Sequence, residues 1–248
     1  MTVGFLDTLL GRSKPKRPDL DQLFALPSAA VTLEAGAAFV PTGVGAVCFA
    51  SVEGGAFERL RQEVRALLDA DTERGGIPVE FGRDDYGYTW LTARHGPHEV
   101  AELVSDLHAV NTLLVEGGFG PQLLCSLVDF AQRDTSGPGG RPGDAGGSDA
   151  SGGSGEAGAS GGSGGSGGSG SSGGSGRSGG SGEDGRARSL ALIYLYKRGT
   201  FYPFAPLPGG GEKRDNGLEL QVRALLADDL PIEQDLSRWF PVWGAPGL

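Results

Sequence analysis

The sequence predicts an α+β fold: an antiparallel sheet with helices packed on one face, built on a ferredoxin-like βαββαβ core and extended by a further hairpin strand and a C-terminal helix. Three observations carry this. Up to Phe130 the hydrophobic patterning changes period in the order β, α, β, β, α, β. Two β-rich apolar runs, residues 123–130 and 189–196, read as the strands of a hairpin. Between them, residues 134–187 are almost wholly glycine and serine. Such a segment cannot bury enough apolar surface to offset the entropy of ordering it. It is expected to be a disordered insertion in the turn of that hairpin, interrupting one domain that spans residues 18–248. A rival topology has helices on one face of a sheet in some other strand order, as in secretion-chaperone-like folds. Element order alone leaves both open.

The elements follow in order. Residues 3–11 can form a short helix with Phe5, Leu6, Leu9 and Leu10 on one face. Arg12, Lys14, Lys16 and Arg17 follow at once, and Pro18 ends the basic run. An apolar face beside cations can lie in a membrane interface near anionic headgroups. The same residues could equally pack on the domain or fray. Residues 19–26 read as a short helix. Residues 28–38 admit a strand or a helix capped by Ser28, and helix is preferred. Pro41-Thr-Gly43 reads as a turn and Ala46-Val-Cys-Phe49 as a strand.

Phe57, Leu60, Val64, Leu67 and Leu68 recur at helical spacing, ended by Gly75-Gly76. Val79-Glu-Phe81 is a short strand, Arg83-Asp-Asp85 a turn, and residues 86–93 a strand on which Tyr88, Trp90 and Thr92 share a face. Pro97 reads as a first-turn helix residue, followed by the apolar stripe Val100, Leu103, Val104, Leu107, Val110 and Leu114. After the hairpin, residues 200–206 carry two prolines and read as irregular. Leu218, Leu220, Val222, Leu225 and Leu226 predict a last helix from about Asp215.

Charge excludes one class of function. The chain carries a formal net charge of −10. The first 17 residues are basic and the insertion is acidic, so the body of the domain remains strongly acidic. A nucleic-acid binder would show a basic stripe. The two cysteines, Cys48 and Cys125, each sit in an apolar strand and read as buried free thiols of a reducing compartment. With no recognisable secretory signal and no apolar run long enough to span a membrane, the expectation is a cytoplasmic protein. Binding through residues 1–17 would place it peripherally on the inner face of the membrane.

No catalytic constellation emerges. His95 and His98 flank a Gly-Pro turn, and His108 lies a helix later; without neighbouring cysteines they make a poor metal set. Asp84-Asp85 and Asp228-Asp229 lie at turns or helix ends. Thr42-Gly-Val-Gly45 resembles a phosphate loop but precedes its strand and lacks the Lys-Ser/Thr pair. Ser126 has no nucleophile elbow around it. The reading is a non-enzyme with no cofactor and no metal. The aromatic density lies elsewhere: Phe201, Tyr202, Phe204, Trp239, Phe240 and Trp243, with Pro203, Pro206 and Pro241 among them. Such a cluster is either a partner-binding patch or a tail that folds back and buries its rings on the sheet.

Several words resemble a known family: Gly4-Phe-Leu-Asp7, Asp19-Leu-Asp-Gln-Leu-Phe-Ala-Leu26, Tyr86-Gly-Tyr-Thr-Trp90, Asp106-Leu-His-Ala-Val-Asn111, Tyr194-Leu-Tyr-Lys-Arg-Gly-Thr-Phe-Tyr-Pro-Phe204, Arg214-Asp-Asn216 and Asp235-Leu-Ser-Arg-Trp-Phe-Pro-Val-Trp-Gly244. They are similar to the PspA-associated family called PspAB across essentially the whole chain except the insertion. The resemblance implies association with PspA, the coiled-coil membrane-stress protein of the phage-shock response, and with a membrane zinc peptidase of the HtpX type. It implies no catalytic activity. Three functions remain in contention. One is a non-enzymatic envelope-stress adaptor that binds its partner through the aromatic C-terminal patch and an anionic inner-membrane surface through residues 1–17. Another is a chaperone-like module with an exposed apolar groove. The last is a small enzyme whose His95, His98 and Cys125 would converge in one pocket.

Overall fold

Strand β1 (Phe39–Ala50) is the axis of the molecule, paired with β3 (Tyr88–Arg94) on one side and β4 (Leu123–Gln132) on the other. The computed structural model describes residues 18–51, 54–69, 77–133, 188–209 and 211–248. The helix expected over 3–11 and the insertion at 134–187 lie outside these. The described chain runs through a short 3₁₀ helix (Leu20–Ala25), α1 (Leu26–Ala37), β1, α2 (Gly55–Asp69), β2 (Glu80–Arg83), β3, α3 (Val100–Glu116), β4, β5 (Ser189–Leu195), β6 (Thr200–Phe204) and α4 (Asn216–Leu225). The six strands form one sheet in the order β2-β3-β1-β4-β5-β6, every neighbour antiparallel. The first four stand in the ferredoxin-like order, and β5 and β6 extend the sheet beyond β4. The expected fold class is therefore the one observed.

The hairpin closes at the ends of its strands. Ala131 pairs with Ser189, and the Gln132 amide donates to the Arg188 carbonyl at 2.8 Å. The ambiguous stretch after Ser28 is helical and continues the 19–26 segment, because Leu26, Ala29, Ala30 and Leu33 recur on one buried face. Ala38 ends it in the left-handed conformation, φ 56°.

Three local expectations are corrected. Pro41-Thr-Gly43 is no turn; it lies inside β1, where the pairing with β4 shifts between Pro41 and Gly45. The turn-forming residues serve a β-bulge. Gly43 takes φ +81°, and a Cβ there would fall 2.1 Å from the His95 carbonyl oxygen. Residues 200–204 are no irregular loop but strand β6, with Pro203 opposite Leu192. Proline is tolerated because β6 is the edge strand. Pro97 stands outside α3, which starts at Val100, and Glu99 accepts the Gly96 amide at 2.6 Å.

One sheet face is covered by α1 and α3. A Cβ on Gly45 would lie 3.0–3.1 Å from Leu103 and Leu107, so the missing side chain lets α3 settle on β1. A buried polar link pins the same helix to β4: the Asn111 amide donates to Ser126 Oγ at 2.8 Å and to the Leu107 carbonyl at 2.7 Å. The C-terminal residues turn to the other face.

Candidate functional site

Side chains alternate across a strand. Since Ser126 points to α3, its neighbour Cys125 points to the opposite face, where Cys48, Trp90, Leu195 and Tyr202 join it as the floor of a cavity of about 720 Å³. That volume lies in the range of ligand-sized clefts.

One wall is built by the β2–β3 turn. Asp84 organises it: Oδ1 accepts the Tyr86 and Tyr88 amides at 3.0 and 2.8 Å, and Oδ2 accepts Trp90 Nε1 at 2.8 Å. Burial of Trp90 thus leaves no indole N–H unsatisfied. Tyr86 then reaches out, and its hydroxyl donates to Glu212 Oε1 at 2.7 Å. That bond raises the Tyr86 pKa above its ordinary value.

The other wall is the tail. The Phe201 amide donates to the Pro231 carbonyl at 2.9 Å and the Glu233 amide to the Phe201 carbonyl at 2.7 Å, so the chain returns alongside β6. Trp239 stacks on Tyr202 with centroids 6.0 Å apart, and its Nε1 donates to the Glu233 carbonyl at 3.0 Å. The Tyr202 hydroxyl donates to the Phe240 carbonyl at 2.7 Å, and Phe204 meets Trp243 edge-on at 4.9 Å.

Arg214 locks this arrangement. Its Nε donates to both oxygens of Glu219 at 2.8 and 2.9 Å, its Nη1 donates to the Trp239 carbonyl at 2.7 Å, and its guanidinium lies over the Phe204 ring. Glu219 is buried and also accepts the Ala205 amide at 2.9 Å. Burial raises its pKa, and the bonds to Arg214 oppose that rise.

Cations line the rim. Arg198 Nε donates to Glu233 Oε2 at 3.1 Å, and Arg238 lies 3.4 Å from Asp235. Lys197 also lines the cavity. On the floor, Cys48 and Cys125 are directly opposed register partners. The Cys48 thiol pKa is pushed up, first by its contact with Cys125 and then by burial.

Of the six aromatic residues expected at a partner surface, Phe201, Tyr202, Phe204 and Trp239 are buried within the protein itself. Trp243 is half-buried, and Phe240 is 58% exposed. Of the six, only Phe240 and Trp243 present ring surface to solvent, with the buried rings packed behind them. Phe5, Leu6, Leu9, Leu10, Arg12, Lys14, Lys16 and Arg17 lie outside the described residues. The histidines and Cys125 do not converge. Buried His95 pairs through Nε2 with Asp106 of α3 at 2.8 Å, His98 is exposed, and His108 packs on Phe24 with Nε2 3.4 Å from Asp21.

Sequence reasoning missed the contribution of Tyr86, Tyr88 and Trp90 to the cavity. The signal was present in the shared face of Tyr88 and Trp90, but which face of the sheet stays open depends on the path of the tail. The sequence model of a family described as PspA associated protein B matches residues 3–139 and 181–247, most of the chain. No curated protein and no solved structure matches.

Proposed function

The chain belongs to the PspA associated protein B family, and on that premise we propose that it is a non-enzymatic adaptor of a PspA-type envelope-stress response. In this reading the cavity on the open sheet face takes an apolar stretch of a PspA-type coiled-coil helix. The observation that carries the reading is the cavity itself. Its floor is apolar and pre-formed, its tail wall presents the exposed Phe240, and the rings behind that wall are fixed by stacking and by Arg214. Rigid aromatic side chains at the edge of a desolvated pocket are the usual anchors of protein interfaces. A coiled-coil partner would bring leucine-rich a/d positions to such a groove.

Two further arms belong to the same proposal. Residues 1–17 bind an anionic inner-membrane surface, supported by the sequence spacing of Phe5, Leu6, Leu9 and Leu10 and by the basic run that follows. A membrane peptidase of the HtpX type is a second candidate partner, through the family resemblance alone.

Calorimetric titration with a purified PspA-type coiled coil tests the central claim. Phe240→Ala and Trp243→Ala together should weaken binding at least tenfold, about 1.4 kcal/mol. Unchanged affinity in a folded double variant removes the groove as the partner site. Flotation on anionic vesicles tests the membrane arm: deletion of residues 1–17 should abolish it.

The cavity also favours a second reading, a chaperone-like module that shields apolar client segments. The two readings differ in selectivity. A chaperone-like module suppresses aggregation of unrelated clients, and the same two substitutions impair it; an adaptor leaves unrelated clients unprotected.

A further inference from the structure

Cys48 and Cys125 are far apart in the chain yet face each other across β1 and β4 as register partners. Directly opposed residues of antiparallel strands have Cα atoms about 4.5–5.5 Å apart, inside the span that a disulfide bridges without moving the backbone. Both side chains take the face away from α3, and both line the cavity floor beside Trp90 and Tyr202. Buried thiols are normally inert because nothing reaches them. Here the cavity gives a small oxidant a path to both sulfurs.

We propose that Cys48 and Cys125 form an oxidisable dithiol, which hydrogen peroxide or a comparable small peroxide converts to a disulfide across the cavity floor. In this chemistry one sulfur attacks and its register partner resolves, here with Cys125 first. The Cys125 sulfur attacks one peroxide oxygen; the S–O bond forms, the O–O bond breaks, and the departing hydroxide takes a proton to become water. The Cys48 sulfur next attacks the Cys125 sulfenic sulfur. The S–S bond forms, the S–O bond breaks, and the leaving hydroxide takes the Cys48 proton as a second water. Two thiols are oxidised and one peroxide is reduced. No further redox partner is required.

The consequence is local. Two polarisable S–H groups on the floor become a rigid cross-link between the central strands. This inference does not depend on the adaptor reading, because the bond can be detected with no partner present.

The experiment treats the folded, full-length protein with hydrogen peroxide, then denatures it and titrates thiols. The titre should fall from two per chain to none, with the intact mass reduced by two hydrogen atoms and a Cys48–Cys125 linked peptide in a non-reducing digest. Dithiothreitol should restore both thiols. A titre that stays at two under conditions that oxidise the unfolded chain overturns the proposal. So does a gain of oxygen atoms on separate cysteines without a linked peptide. Phenylarsine oxide supplies a measurement independent of oxidation rate, since one arsenic must be shared by two nearby sulfurs. One equivalent should bind the folded protein, with binding lost in Cys48→Ser and in Cys125→Ser. Failure of the wild-type chain to bind it overturns the proposed proximity, whatever the variants do.

Discussion

Asp129 gives the sharpest stability test. It sits buried on β4, and the last turn of the chain lies against it, with the position of a Gly247 Cβ only 3.1 Å from its carboxylate. Its side-chain partners are hydroxyls: Thr42 Oγ1 donates to Oδ2 at 2.9 Å and Ser189 Oγ to Oδ1 at 3.4 Å, with the Phe130 amide as a further, backbone donor. No ion pair among the described residues includes it. Burial outweighs these bonds and raises its pKa from 3.8 to about 7. The folded state therefore binds the proton more tightly than the unfolded one, so this group favours folding at low pH and loses that advantage as pH rises from about 4 through 7. At about 1.36 kcal/mol per pKa unit, the ionised form costs the folded protein on the order of 4 kcal/mol by pH 8. Asp129→Asn cannot ionise. Its amide oxygen can still accept from Thr42, and its NH₂ can donate to Ser189 Oγ. Urea unfolding of both proteins between pH 4 and 8 should show the variant gaining on the wild type by about 3–4 kcal/mol across that range. Titrations common to both proteins cancel in the difference. A pH-independent difference, or one that moves the other way, refutes the claim that Asp129 is held protonated by burial.

Four other outcomes follow. Arg214→Met strips the cation from buried Glu219 and should cost about 3–5 kcal/mol in urea unfolding at pH 7; adding Glu219→Gln should recover part of that loss. Trp239→Ala removes the stack on Tyr202 and the bond to the Glu233 carbonyl, at about 3–5 kcal/mol. Phe240→Ala, at an exposed position, should change stability by less than about 0.5 kcal/mol, so calorimetry can separate the structural ring from the exposed one. Replacement of residues 134–187 by a tight turn should preserve cooperative unfolding and raise stability by up to about 3 kcal/mol, since loop-closure entropy grows only logarithmically with length; loss of cooperativity would contradict the β4–β5 hairpin.

The sequence by itself determined the order of elements and most of their kinds. Periodicity is a local property, so the stripe from Val100 to Leu114 specifies a helix and the runs at 123–130 and 189–196 specify strands wherever the chain folds. That element order was compatible with the ferredoxin-like arrangement and with a rival strand order; the tertiary pairing of β1 with β4 decided between them and set Cys48 opposite Cys125. Local signals misled where tertiary context reassigned their use. Pro41-Thr-Gly43 has turn chemistry but forms a bulge, because β1 must continue past it to reach Gln132. Pro203 has breaker chemistry but sits on an edge strand that can spare its N–H.

The candidate site was legible only in part. The aromatic tail was visible in composition, but only the fold decided that Phe201, Tyr202, Phe204 and Trp239 are buried and that Phe240 is exposed. The cavity needs a floor from β1, β3, β4, β5 and β6, one wall at Tyr86 and another at residues 240–243. Those groups are brought together by contacts across long stretches of chain, such as Tyr86 with Glu212 and Tyr202 with Trp239. No periodicity encodes such contacts, because each depends on how much apolar surface the whole chain can bury at once.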